Sequence, residues 1–157
     1  MQGTVVTIEP GEVRDDWFEL LALADEEAPL RAALQQGVLY GVVDSDTGRR
    51  QGAVLVLDRG DGSAELRAVA VTEAAQSQGL GSWMVTEICT KLRAAGVQRV
   101  VVGTASSGLR QLGFYQRLGF RLTRVEPDFF TEARGYPPGL AENGIPTRDM
   151  VWMERHV

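Results

Sequence analysis

Val69-Ala70-Val71-Thr72-Glu73-Ala74-Ala75-Gln76-Ser77-Gln78-Gly79-Leu80-Gly81-Ser82 is the stretch on which the reading of this chain turns. It runs from a strand-like Val-Ala-Val through a polar turn into two closely spaced glycines. A helical pattern follows at once: Met84, Val85, Ile88 and Leu92 form one apolar stripe over residues 81–95, and Gly96 closes it. A helix N-terminus presents unpaired N–H groups and the positive end of the helix dipole. Glycines there remove the side chains that would hold a phosphate away from those amides. The segment is therefore a candidate anion cradle, with a pyrophosphate lying across the amides of Gln78, Gly79, Leu80, Gly81 and Ser82. It is not a Walker loop, because no Lys-Ser/Thr follows the last glycine. Nor is it a dinucleotide fingerprint, because G-x-G-x-x-G is absent.

Outward from this turn the pattern is that of a mixed α/β protein. Residues 4–8 are β-branched and read as a strand ended by Glu9-Pro10-Gly11. Residues 13–34 carry helical spacing, and Pro29 divides them into two helices. Three strands at 38–43, 51–57 and 64–71, joined by Asp/Gly-rich turns, suggest an antiparallel meander. Residues 98–102 form an almost continuously apolar strand, as expected of one buried on both faces. A right-handed crossover through the intervening helix makes it the parallel neighbour of 64–71. A helix at 109–118, a strand at 120–125 and a last strand at 148–154 complete the order. The stretch 126–147 has no period, and a loop that long is functional or hides a short helix. The expected fold is α/β: a mixed, mostly antiparallel sheet of six to seven strands with a central parallel pair and helices on both faces.

With 157 residues, 44% apolar and 24% charged, the composition fits one domain spanning residues 1–157. One cysteine, Cys89, permits no intramolecular disulfide. No window reaches the roughly 18 apolar residues of a membrane helix, so the expectation is a soluble, cytoplasmic protein without membrane partners. A net charge of −5 with no basic patch argues against nucleic acid and suits a cationic substrate such as an amine. No histidine, cysteine or carboxylate spacing suggests a metal site. A homodimer is left open.

Q-x-x-G-x-G after Val69-Ala70-Val71, together with Tyr115-Gln116-Arg117-Leu118-Gly119-Phe120 matching Y-x-x-x-G-F on the next helix, resembles the GNAT superfamily of acetyl-CoA-dependent N-acetyltransferases. The resemblance covers about residues 51–125. It implies that acetyl-CoA is the co-substrate and that its pantetheine arm bonds to the main chain of Val69, Ala70 and Val71 like an added strand. Gln76, Ser77, Gln78, Gly79, Leu80, Gly81 and Ser82 are then the pyrophosphate turn. Tyr115 matches the residue that protonates the departing thiolate, and Glu65 sits where relatives place a base for the amine. Many relatives carry an Asn after the following strand; this chain reads Gly103-Thr104-Ala105-Ser106-Ser107-Gly108 instead, with Ser106 or Ser107 as the shorter substitute. The implied acceptor is a small-molecule or peptide amine. In the aperiodic stretch Asp128, Phe129, Phe130, Tyr136, Glu142 and Asp149 offer the carboxylates and aromatic faces that suit an ammonium group. A non-catalytic acetyl-CoA-binding module is the alternative, and an unrelated phosphate-binding α/β protein a third reading.

Overall fold

The computed structural model describes residues 3–8 and 14–157, without the side chains of 14–16. The turn expected at Glu9-Pro10-Gly11 and the helix start at Val13 lie outside the described residues. In chain order the elements are β1 (Gly3–Ile8), α1 (Arg14–Leu21), α2 (Glu27–Leu34), β2 (Val38–Asp44), β3 (Arg50–Asp58) and β4 (Ser63–Val71). Then come α3 (Leu80–Ala94), β5 (Arg99–Ala105), α4 (Leu109–Arg117), β6 (Arg121–Glu126), the two-residue strands β7 (Ala141–Glu142) and β8 (Ile145–Pro146), and β9 (Met150–His156).

Seven strands form one sheet in the order β1-β2-β3-β4-β5-β9-β6. The meander β1 to β4 is antiparallel, β4 and β5 are the parallel pair, and β9 returns antiparallel between β5 and β6. This is the expected mixed sheet. Pro29 stands in the first turn of α2, where its missing N–H costs no helical bond. Several boundaries shift by a residue or more, and two of the shifts have a clear cause. β5 runs on to Ala105, past the apolar run that ended the expectation at residue 102, because β9 pairs it along its whole length. β9 itself begins at Met150, since Arg148 and Asp149 are drawn into contacts with the preceding loop.

The aperiodic stretch contains a 3-10 turn at Glu132–Arg134 and the β7–β8 hairpin. Asn143 and Gly144 form its turn with φ of 55° and 73°. Asn-Gly is the pair that suits a hairpin needing positive φ at both central residues.

The sheet separates two cores. α3 and α4 cover one face, where Met84, Val85, Ile88 and Leu92 of the expected stripe meet Val54, Leu66, Val100, Val102, Phe120 and Met153. On the other face Trp17, Leu20 and Leu21 of α1 with Leu30 and Leu34 of α2 pack on Leu39, Leu55, Ala68 and Ala70. Val101, Met150 and Trp152 extend that second face under Phe129 and Phe130. One irregularity matters later. Leu55 pairs with Ala68 but Val56 pairs with Leu66, so Arg67 is an extra residue bulged out of β4. Leu66 belongs to the α3 core and Ala68 to the α1 core, although both are even-numbered along one strand; the bulge changes the alternation.

Gly41 of β2 lets α1 approach. A Cβ there would stand 2.5 Å from the Trp17 ring. Gly41→Ala is expected to lower unfolding free energy by about 1–3 kcal/mol, the usual cost of overpacking a filled core. Urea denaturation with an unchanged midpoint would contradict that packing.

Candidate functional site

β4 and β5 pair only from Ser63 to Glu65 against Arg99 to Val101. Beyond that both strands continue, β4 held by β3 and β5 held by β9, but not by each other. The bulge at Arg67 bends β4 at the place where they part. At the far end Thr72 N–H donates to Gln51 O across β3 (2.8 Å). Antiparallel strands turn alternate residues to opposite edges, so Val71 and Val69 face their N–H and C=O into the gap. The Val71 C=O is taken by the Gln76 side chain, and the groups left unpaired at this interior sheet edge call for a partner. The gap holds a cavity of about 260 Å³, lined by Leu66 to Val71 of β4 and Val102 to Thr104 of β5.

The turn after β4 closes one end of it. Ser77 and Gly79 have φ of 66° and 77°. α3 then starts at Leu80 with no side-chain cap, and its first helical bond runs from Trp83 N–H to Gly79 O (3.1 Å). The amides of Leu80, Gly81 and Ser82 therefore have no intrahelical acceptor and carry the positive end of the dipole. Gln76 and Gln78 lash the turn down: Gln76 Nε2 donates to Val71 O and Gln78 Nε2 to Ala74 O, each at 3.1 Å. A Cβ on Gly81 would sit 3.4 Å from the Phe114 ring, an ordinary contact, so the start of α3 packs beside α4.

Tyr115 of α4 lines the gap cavity and is 7% exposed. Phe114 and Phe120 hold its ring edge-on, with centroids 5.0 and 5.6 Å away. Among the described residues its hydroxyl has no hydrogen-bond partner. Burial pushes the phenol well above its ordinary pKa, so it keeps its proton and can only donate it.

A second cavity, about 370 Å³, opens on the α1–α2 face. It shares Leu23, Ala24, Arg67, Gly103, Thr104 and Gln111 with the first, so the two meet. Arg67 Nη1 donates to Asp25 Oδ2 at 2.8 Å, with the side chains only 21% and 11% exposed. Burial opposes the charge on Arg67, but Asp25 outweighs it and the guanidinium stays protonated. Tyr136 O–H donates to the same oxygen (3.3 Å), tying the segment after β6 to the α1–α2 connection. Burial and then the Asp25 carboxylate raise the Tyr136 phenol, which is protonated too.

Glu65 lines neither of these two cavities. It pairs with Arg59 (3.4 Å), and burial raises its carboxyl pKa against the pull of Arg67 and Arg59. Ser106 also lies outside both cavities and donates its N–H to Asp149 O, whereas Ser107 is buried against Thr147. The hydroxyl-bearing residue of β5 that lines the gap is Thr104. Of the six residues singled out in the aperiodic stretch, Phe130, Tyr136 and Glu142 line the second cavity. Asp149 instead accepts the Asp128 N–H, and Phe129 packs edge-on to Trp152. Asp25, Arg67 and Gln111 escaped the sequence reading, because nothing local marks an aspartate after α1 as the partner of a residue 42 positions away. Cys89 is buried in the α3 core, where desolvation raises its thiol pKa. Among the described residues no three His, Cys, Asp or Glu side chains gather as a metal site, and no helix is long and apolar enough to cross a membrane.

Known proteins share this fold. The sequence profile described as the acetyltransferase (GNAT) family matches residues 8–120. The uncharacterised N-acetyltransferase YvbK of Bacillus subtilis (strain 168) is 34% identical over 141 residues, 89% of this chain and 88% of that protein. A Bacillus subtilis acetyltransferase solved in complex with CoA superposes with a TM-score of 0.87 at 30% identity, over 99% of each chain. A GNAT family acetyltransferase from Elizabethkingia anophelis with acetyl-CoA bound gives 0.87 at 28%, again over 99% of each.

Gly79→Val places a β-branched residue at a left-handed position, so the turn must re-form. Calorimetry with coenzyme A should show affinity reduced roughly tenfold or more. An unchanged Kd would show that the start of α3 is not the anion site.

Proposed function

The chain belongs to the acetyltransferase (GNAT) family, and on that premise we propose that it moves the acetyl group of acetyl-CoA to a primary amine by direct attack in a ternary complex. One observation carries the proposal: the gap between β4 and β5, with Tyr115 on its wall, opens at Arg67, Gly103 and Thr104 into a second cavity on the opposite face. A donor and an acceptor can enter from different sides and meet at one point, which is what a direct transfer requires.

In this mechanism the pantetheine arm lies along Val69, Ala70 and Val71, and its amides pair with the strand edge that β5 leaves free. The pyrophosphate rests on the turn from Gln76 through Ser77, Gln78, Gly79, Leu80 and Gly81 to Ser82. Gln76 and Gln78 act there by fixing the loop. On β5, Thr104 takes the contact first assigned to Ser106. The neutral amine nitrogen attacks the thioester carbonyl carbon. The oxyanion forms beside the gap-facing N–H groups of β4, fixed donors that need no reorganisation. As the carbon–sulfur bond breaks, Tyr115 gives its proton to the sulfur, leaving CoA as the thiol. Glu65 is the group for the amine's proton. Its raised pKa brings it toward the range in which a base works near neutrality, and since it stands outside both cavities a water must bridge.

Tyr115→Phe preserves the ring contacts and removes only the proton donor. Acetyl transfer, followed as thiol release, should fall about 10²–10⁴-fold with little change in CoA affinity. Full turnover would exclude Tyr115, and CoA binding without transfer to any amine by the unmodified protein would make the chain a cofactor-binding module. Because burial raises the phenol, the unmodified enzyme should keep its activity past about pH 10, where an ordinary tyrosine loses its proton. An alkaline fall near that ordinary value would contradict the buried donor. For Glu65→Gln the acidic limb of kcat/KM should move or vanish, with a loss of about 10²-fold at neutral pH. A superimposable profile would remove Glu65 from the mechanism.

A further inference from the structure

We propose that the acceptor carries two amino groups, one attacking at the junction of the cavities while the other stays an ammonium ion held by Glu26 and Glu142. This rests on the acetyl-transfer proposal above and adds the chemical class of the acceptor.

The second cavity has charge in a graded arrangement. Its charged side chains are Arg67 and the carboxylates of Asp25, Glu26 and Glu142. Asp25 is already committed: Oδ2 accepts from Arg67 and Tyr136, and Oδ1 accepts the Glu26 N–H at 2.8 Å. The Asp25–Arg67 pair is neutral as a unit. Glu26 and Glu142 have no hydrogen-bond or ion-pair partner for their carboxylates among the described residues. Glu26 precedes α2, yet its side chain makes no capping bond there. The two unpaired carboxylates thus leave the cavity with a surplus of negative charge.

Position sharpens this. Arg67 borders both cavities, whereas Glu26 and Glu142 border only the outer one. At the junction Asp25 is spent on Arg67 and Tyr136, so an amine there finds no free carboxylate to hold it as an ammonium and its neutral, nucleophilic form is favoured. Farther out the free carboxylates favour an ammonium. One molecule with two amines satisfies both ends, and the field sets which end reacts. Phe130 and Tyr136, edge-on at 4.9 Å, add ring faces for a cation, and Leu140 and Met150 line the wall along which methylenes would lie. The cavity volume, about 370 Å³, is within the range that takes a small organic ligand. An acceptor bearing a carboxylate in place of the second amine would meet Glu26 and Glu142 unfavourably, leaving only an arginine that Asp25 already neutralises.

The test compares three primary amines of matched chain length, putrescine, n-butylamine and γ-aminobutyrate, by thiol release. It adds calorimetric binding of putrescine to the protein–CoA complex. We expect kcat/KM for putrescine to exceed that for n-butylamine by about tenfold or more, with γ-aminobutyrate the poorest. In the double variant Glu26→Gln, Glu142→Gln the advantage of putrescine should disappear through acceptor KM, while KM for acetyl-CoA holds. Equal rates for putrescine and n-butylamine, a preference for γ-aminobutyrate, or an advantage that survives in the double variant would each overturn the proposal. Putrescine that binds the CoA complex through the two glutamates but is never acetylated would uphold the acceptor site and sink the transfer reaction. Turnover of n-butylamine without putrescine binding would do the reverse.

Discussion

The parallel pairing between β4 and β5 stops after Glu65 and Val101, and the rest of the site depends on that stop. Each strand is fully bonded on its other edge, so neither can collapse onto its neighbour without breaking a ladder. The bulge at Arg67 bends β4 away and reassigns its side chains between the two cores. What is left is a row of backbone donors and acceptors in the middle of a sheet, open to a ligand that can imitate a strand. Such groups are costly to bury unpaired, and that cost is the physical ground for proposing a ligand in the gap.

In the proposed reaction, the same bulge joins the donor cavity to the acceptor cavity. Arg67 leaves the regular alternation and reaches Asp25 in the connection between α1 and α2, while Tyr136 reaches the same carboxylate from the segment after β6. Three parts of the chain that are distant in sequence therefore meet at one oxygen, beside the junction of the two cavities. The acetyltransferase (GNAT) family places acetyl-CoA in this chain's chemistry. In the proposed reaction, local residues at that junction decide which amine can approach.

Much of this was legible in the sequence, for physical reasons. The apolar stripe Met84, Val85, Ile88 and Leu92 lies in the core as its 3.6-residue period requires. Gly79 does what its lack of a side chain allows, adopting positive φ in the turn. Less legible was anything that depends on long-range pairing. The extension of β5 through Gly103 and Thr104 comes from β9, which follows more than forty residues later in the chain. Asp25 gains its role only through Arg67, and Arg67 only through a register shift that no local pattern announces. The hairpin at Asn143-Gly144 was also missed, because the prolines and glycines of that stretch obscure any period around a local turn signal.

The central claim is that the β4 edge facing the gap is the docking strand for acetyl-CoA. Amide hydrogen exchange with and without coenzyme A tests it most directly. The account predicts slower exchange at Val69 and Val71 and at the amides of Gly79 to Ser82, with little change in β1 and β2. Binding of coenzyme A that leaves the β4 amides exchanging at their free rate would contradict it.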